Sequence, residues 1–356
     1  MNSPKDSRMP NPLIVSGPPY IRNGETNHCL MFDVYIAALP VMLAAVLVAG
    51  PYSILLMALS VLAAVATEAI IQMIKTPGYR FRPLVYNLLT ADRVTILDGS
   101  ALVTGLLVAF NVPPQVPFWL PMVGSAVAIS LGKQIFGGLG HNIFNPALFA
   151  RTFLLAAWPA HMTSWLAPFD WSSYWAHLSW SPSTWRIQAV DAVSSATPLG
   201  VMKEQGSMLT PYLNLFLGNI GGCIGETSAL AILLGGAYLL YKGTITWHIP
   251  VTYLGTVAVM SSLFGKDPVF HLFSGGLMLG AFFMATDVVT SPITKMGRVV
   301  FGVGCGVITV LIRSFGALPE GVSYSILLMN ACTPLIDRYT GGTVLRREAA
   351  RSLKAS

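Results

Sequence analysis

The sequence predicts an all-α polytopic membrane protein, with ten transmembrane helices in two inverted five-helix repeats and re-entrant or broken helices among them. Three observations lead there. Of 356 residues, 54% are hydrophobic and only 10% charged, against roughly 25% charged in a soluble domain. Apolar runs of spanning length recur along the whole chain. A motif in the first half returns in the second.

A helical span needs about 20 apolar residues, fewer where other protein shields its ends. Residues 1–30 are polar and proline-bearing, and they lack the apolar core and cleavage site of a signal peptide. They read as a cytoplasmic tail. Residues 31–160 make the first membrane repeat, with apolar runs at 31–50, 53–74, 98–112, 116–136 and 147–160. The glycine-rich stretch GGLGHNIFNP at 137–146 interrupts them. Residues 161–210 form a polar loop that holds five of the eight tryptophans. Residues 211–336 make the second repeat, with runs at 227–241, 245–264, 269–286, 299–313 and 322–336, and 337–356 is a basic cytoplasmic tail.

The internal repeat matches DGSALVTGLL, opened by Asp98, with ETSALAILLG, opened by Glu226. In each half a proline, Pro83 or Pro211, precedes the acid by the same 15 residues, with a short apolar half-segment between, at 84–89 and 212–217. GGLGHNIFNPALF and GGLMLGAFFMATD are also alike. Paired short or interrupted hydrophobic segments point to a site built of broken helices at a repeat interface. Segments 84–96 and 212–225 therefore read as re-entrant.

Charge tests the topology. With the N-terminus in the cytoplasm, sixteen basic residues fall on the cytoplasmic side. Four, Arg186, Lys203, Lys266 and Arg313, fall outside, and Arg151 lies within a span. That bias obeys the positive-inside rule and puts the loop 161–210 outside. The net charge of +6 then serves topology, not nucleic acid.

Several residues are candidates for chemistry. Thr197, in DAVSSATPLG at 191–200, precedes a proline and follows small residues, so its hydroxyl is expected on a bare, turn-prone backbone; an ordinary Asp/Ser turn fits the same letters. Asp98 and Glu226 open matched helices, where a carboxylate either caps the helix or flanks an ion path, since intramembrane acids are costly. Glu68 is a similar acid without a repeat partner. Asn142 and Asn145, three apart, are expected on one side of a helical turn. Their amides could meet a polar heterocycle or satisfy broken backbone. Thr286, Asp287 and Thr290 of MATDVVTSP are their second-half counterparts, with Asp287 a further candidate for the ion pathway. The histidines show no metal-ligand spacing and read as ordinary polar residues. Cys29, Cys223, Cys305 and Cys332 are widely separated, so no metal site is expected. No P-loop or dinucleotide motif is present, so ATP or NADH should not bind here.

Five motifs taken in order give a resemblance: DGSALVTGLL at 98–107, GGLGHNIFNPA at 137–147, DAVSSATPL at 191–199, GCIGETSAL at 222–230 and FFMATDVVTSP at 282–292. Over about residues 84–337 the chain resembles the D subunit of the Rnf electron-transport complex, a relative of the B subunit of the sodium-pumping NADH:quinone reductase. The resemblance implies flavin mononucleotide joined by a phosphoester to Thr197, with Asp191, Ser194 and Ala196 as recognition residues, and a flavin transferase that attaches it outside the membrane. Ser195 stands where the family motif has glycine. The resemblance further implies a second, non-covalent flavin (riboflavin or FMN) within the helices, sought at Asn142 and Asn145. It implies a urea-transporter-like fold and an inner-membrane, six-subunit assembly that includes a second periplasmic flavoprotein and couples ferredoxin and NAD electron exchange to cation movement. A channel or transporter for a small polar solute is the alternative from the repeats alone; it has no need of DAVSSAT.

Overall fold

The computed structural model describes residues 27–75, 98–165, 168–169, 197–205, 210–316 and 320–355, and every described element is helical. The re-entrant segment expected at 84–96 and most of the loop 161–210 lie outside them.

α1 (Asn27–Ala49) and α2 (Tyr52–Lys75) are joined at Gly50-Pro51. With α12 (Lys295–Phe315) they are the three helices among the described residues long and apolar enough to cross a membrane. Their faces are inverted relative to a soluble protein. Leu43, Leu47, Leu62 and Ile70 are exposed, whereas Ser53, Ser60 and Glu68 are fully buried. Helices in lipid gain little by hiding leucine and associate through small and polar residues. Ser60 Oγ accordingly donates to the Gly105 carbonyl at 2.6 Å and shares a hydrogen bond with Ser125 Oγ at 2.8 Å.

α3 (Ser100–Phe110) packs on α2. α4 (Trp119–Val127) runs into a π-helical turn at Ala128–Lys133 and a 3-10 turn at Gln134–Phe136. α5 (Pro146–Ala157) follows the glycine-rich loop, and α6 (Pro198–Gln205) follows the polar interval. α7 (Tyr212–Leu217) is the expected half-segment, present at the expected bounds. α8 (Ala229–Lys242) and α9 (His248–Leu263) are continuous. The run expected at 269–286 is instead broken into α10 (Pro268–Phe273) and α11 (Leu277–Leu279), which continues as a π-helical turn at Gly280–Met284. Gly275 causes the break: it adopts φ 65°, a conformation side chains resist. α12 lies against α9 through Gly302 and Gly306, four apart, which meet Thr252 and Thr256; this is the small-residue interface of membrane helices. α13 (Val322–Ala355) closes the chain.

The broken ends meet. Backbone at membrane depth must be satisfied by protein or trapped water. The Ile224 amide donates to the Val112 carbonyl at 3.0 Å, and the Gly225 amide donates to that of Phe110 at 2.9 Å. The end of α3 thus receives the segment before α8. Asn145 Nδ2 likewise donates to the Met284 carbonyl at the end of the second π-turn, at 3.2 Å.

Candidate functional site

Three places carry the polar chemistry. The first is an open cavity of about 80 Å³ on which α1, α3, the loop after α4, α8 and the second π-turn converge. Asn142, Asn145, Thr286, Asp287 and Lys133 supply its polar lining, and Val34, Val103, Leu107, Phe282 and Phe283 supply apolar walls. Asn142 and Asn145 do meet here, but not on one helical turn. The three positive-φ glycines Gly137, Gly138 and Gly140 keep this stretch from coiling. Asn142 sits in the loop, and Asn145 is the N-cap of α5, accepting from the amides of Ala147 at 3.0 Å and Leu148 at 3.3 Å. Asn142 Nδ2 donates to the Phe144 carbonyl at 3.3 Å, while its buried Oδ1 has no partner. Asp287 is in this cavity, apart from Asp98 and Glu226, and holds the Thr290 hydroxyl at 3.1 Å.

The second place is a pair of buried charge clusters. In one, Lys133 Nζ donates to both Glu68 oxygens, at 2.8 and 3.0 Å, and to Ser100 Oγ at 2.6 Å. Gln134 adds a bond to Glu68 at 3.1 Å. Asp98 accepts from the Ser100 amide at 2.8 Å and from its hydroxyl. Asp98 thus holds the first amide of α3, just before its N-cap Gly99, and the acid without a repeat partner, Glu68, is buried in an ion pair. In the other cluster Arg151 donates to Glu226 at 2.7 Å, to Asn111 Oδ1 at 2.9 Å, and to Glu320. Glu226 does not cap α8; Ser228 does, through the Ala231 amide. Sequence reasoning missed Lys133 and Arg151 as partners because it counted them only for topology, and it missed Glu320 altogether. Their signal was present: a lone cation inside an apolar run needs an acid.

The third place is Thr197. Its side chain is buried, not bare. It opens α6 and accepts from the Gly200 amide at 3.1 Å. Pro198 fixes the first helical φ, and Leu199 packs against Leu215, Ile220 and Phe270, drawing the segment inward. Asp191, Ser194 and Ala196 lie outside the described residues. His271, read as ordinary, is buried with both ring nitrogens unpartnered. Among the described residues no group of histidines, cysteines and acids could hold a metal ion.

Polar side chains turned inward, leucines turned outward and helices broken at buried ion pairs define an all-helical polytopic membrane protein. The chain belongs to the NQR2, RnfD, RnfE family, whose profile it matches over residues 14–346, and it is of the RnfD kind. It is 47% identical to the D subunit of the Na(+)-translocating ferredoxin:NAD(+) oxidoreductase complex of Acetobacterium woodii, over 95% of this chain and 98% of that one. It is 41% identical to the D subunit of the proton-translocating ferredoxin:NAD(+) oxidoreductase complex of Clostridium ljungdahlii, over 93% and 95%. It is 37% identical to the D subunit of the ion-translocating oxidoreductase complex of Citrobacter koseri, over 92% and 97%.

Proposed function

We propose that the chain is the membrane subunit of an ion-translocating ferredoxin:NAD oxidoreductase complex, that it carries FMN covalently on Thr197, and that it works with the other subunits of that complex. The observation that carries this reading is DAVSSATPL at 191–199 in a chain of this family. Bound flavin would supply the redox chemistry; the chain's part is to hold it and exclude water. The motif residues Asp191, Ser194 and Ala196 would present Thr197 to a flavin transferase, after Thr197 releases its cap. The cavity's orphaned Asn142 Oδ1 suits the N–H edge of a second, non-covalent flavin, with Asn145 and Asp287 beside it. A cation route would use Glu226 and Asp98, each tied into a charge cluster.

The order of elements supports the inverted ten-span reading and adjusts its pairing. α1, α2, the segment 84–96 with α3, then α4 and α5 answer in order to α8, α9, α10 with α11, then α12 and α13. DGSAL then answers to SGGLM at 274–278, and Gly99 (φ 77°) to Gly275 (φ 65°). The charge bias supports both termini in the cytoplasm and the flavin loop outside; an inner-membrane, periplasmic setting is what the family resemblance implies.

The test is in-gel flavin fluorescence of the denatured protein, made with a flavin transferase and run beside Thr197→Ala. A fluorescent band lost in the variant is expected. A dark wild-type band, with the transferase active on another substrate, removes the reading.

A further inference from the structure

The two halves place a buried cation alike and partner it differently. Lys133 ends the π-turn after α4, touches Ser100 at the start of α3, and is neutralised by Glu68. Arg313, in the last turn of α12, touches the residues leading into α11. Its guanidinium donates to the carbonyls of His271 at 2.7 Å and Ser274 at 3.0 Å, and it has no carboxylate among the described residues. The neighbouring acids make their direct contacts elsewhere: Glu226 and Glu320 ion-pair with Arg151 and act on Arg313 only at longer range, and Asp267 meets the Tyr212 hydroxyl. Arg313 is 5% exposed, His271 3% and Ser274 0%. Arg313 Nε, both His271 nitrogens and Ser274 Oγ are all buried without a hydrogen-bond partner. Burying four unsatisfied polar atoms around a guanidinium that makes no direct ion pair among the described residues is costly, and an anion from outside this chain would complement them.

The position of the cluster says which anion. A Cβ placed on Gly275 would lie 2.8 Å from Leu199 Cδ1 and 3.5 Å from Arg313 Nη2. The guanidinium and the residue two after Thr197 therefore flank one point. Lys203 of α6 and Lys266 lie at the same end; Lys203 reaches the Gly316 carbonyl and Lys266 the Ser314 hydroxyl, at 3.0 Å. Burial, then Lys203 and Arg313, hold the Lys266 ammonium below its ordinary range. The N-terminus of α6, which favours negative charge, opens at Thr197 itself.

We propose that Arg313, His271 and Ser274 bind the phosphodiester of the flavin carried on Thr197. The inference rests on Thr197 being the attachment residue. A phosphodiester has one negative charge and two free oxygens. Arginine meets such oxygens in a fork, and an imidazole N–H and a serine hydroxyl are further donors. The group also lies one bond from the Thr197 oxygen, so it is delivered to this end of the fold.

Wild type and Arg313→Gln, each made with and without the transferase, test the site. Gel fluorescence of the denatured bands reports attachment, and thermal unfolding of the native proteins in detergent reports the site. Attachment is expected to raise the wild-type midpoint by roughly 2–4 °C, and Arg313→Gln is expected to carry the flavin yet lose that rise. An equal rise in both, or none in the wild type, overturns the site while leaving Thr197 intact. A dark wild-type band overturns the attachment and the site with it. If Arg313→Gln does not fold, Arg313→Lys and Ser274→Ala serve with the phosphorus NMR resonance of the loaded protein as readout. A moved resonance in either is expected, and an unmoved resonance in both overturns the site.

Discussion

Removing Lys133 should unfold this protein more readily than any surface change, and removing its partner as well should restore it. Glu68 and Lys133 are 0% and 2% exposed at their side chains, with Nζ 2.8 and 3.0 Å from the two carboxylate oxygens. Lys133→Met leaves a buried carboxylate that keeps Gln134 Nε2 at 3.1 Å but loses its ion pair with Lys133, and it strips that donor from Ser100. Breaking one member of a buried pair costs about 3–5 kcal/mol, whereas replacing both with apolar groups of similar volume is often neutral or stabilising. Glu68→Met should cost a similar amount, by stranding the ammonium. The double variant should recover most of the loss, a coupling of roughly 3 kcal/mol. Unfolding of the detergent-solubilised protein in graded SDS, followed by tryptophan fluorescence, measures all four. A double variant no more stable than the worse single would refute the reasoning, because the loss would then lie in packing and not in a stranded charge.

Three further outcomes follow from other parts of the structure. Without flavin, Thr197→Ala should lose about 1 kcal/mol through the missing cap of α6, and Thr197→Ser should not; thermal unfolding of the two distinguishes them. Asn142→Leu should remove non-covalent flavin from the purified protein while the covalent band persists, as read by acid extraction and gel fluorescence; unchanged extractable flavin would move the second site elsewhere. Asp267 caps α10 through the Phe270 amide at 3.0 Å, and chiefly the Tyr212 hydroxyl holds its carboxyl below the ordinary range. A depressed folded pKa means that this stabilisation is full above about pH 4 and fades as the pH falls through the folded value. Tyr212→Phe should therefore lower stability modestly at neutral pH and flatten the acid limb of a stability–pH curve, so that variant and wild type converge below about pH 4.

Much of the site could be read in the letters, though not its partnerships. DAVSSATPL marked Thr197, and the glycine-rich stretch marked the loop that lines the cavity. Asn142 and Asn145 were rightly grouped, but i, i+3 spacing implied a helix that three positive-φ glycines do not allow. Asp98 and Glu226 looked equivalent because both stand before Ser-Ala-Leu. Folding ties one to the first amide of α3 and makes the other an ion-pair partner, since among the described residues Glu226 meets an arginine and Asp98 does not. Nothing near Arg313 in the chain says that, among the described residues, it will make no direct ion pair.

The sequence alone determined what local chemistry dictates: an all-helical membrane chain, the half-segment at 212–217, the glycine-rich interruption at 137–146 and the family. These depend on composition and on neighbours along the chain. The tertiary structure decided which charges are paired, which polar atoms are left over, and that Leu199, two residues after Thr197, and Arg313 both approach Gly275. Those facts depend on residues far apart, such as Arg151 with Glu226 and Gly275 with Leu199. A buried charge takes its meaning from what surrounds it in space, because at low dielectric the nearest partner outweighs every other term.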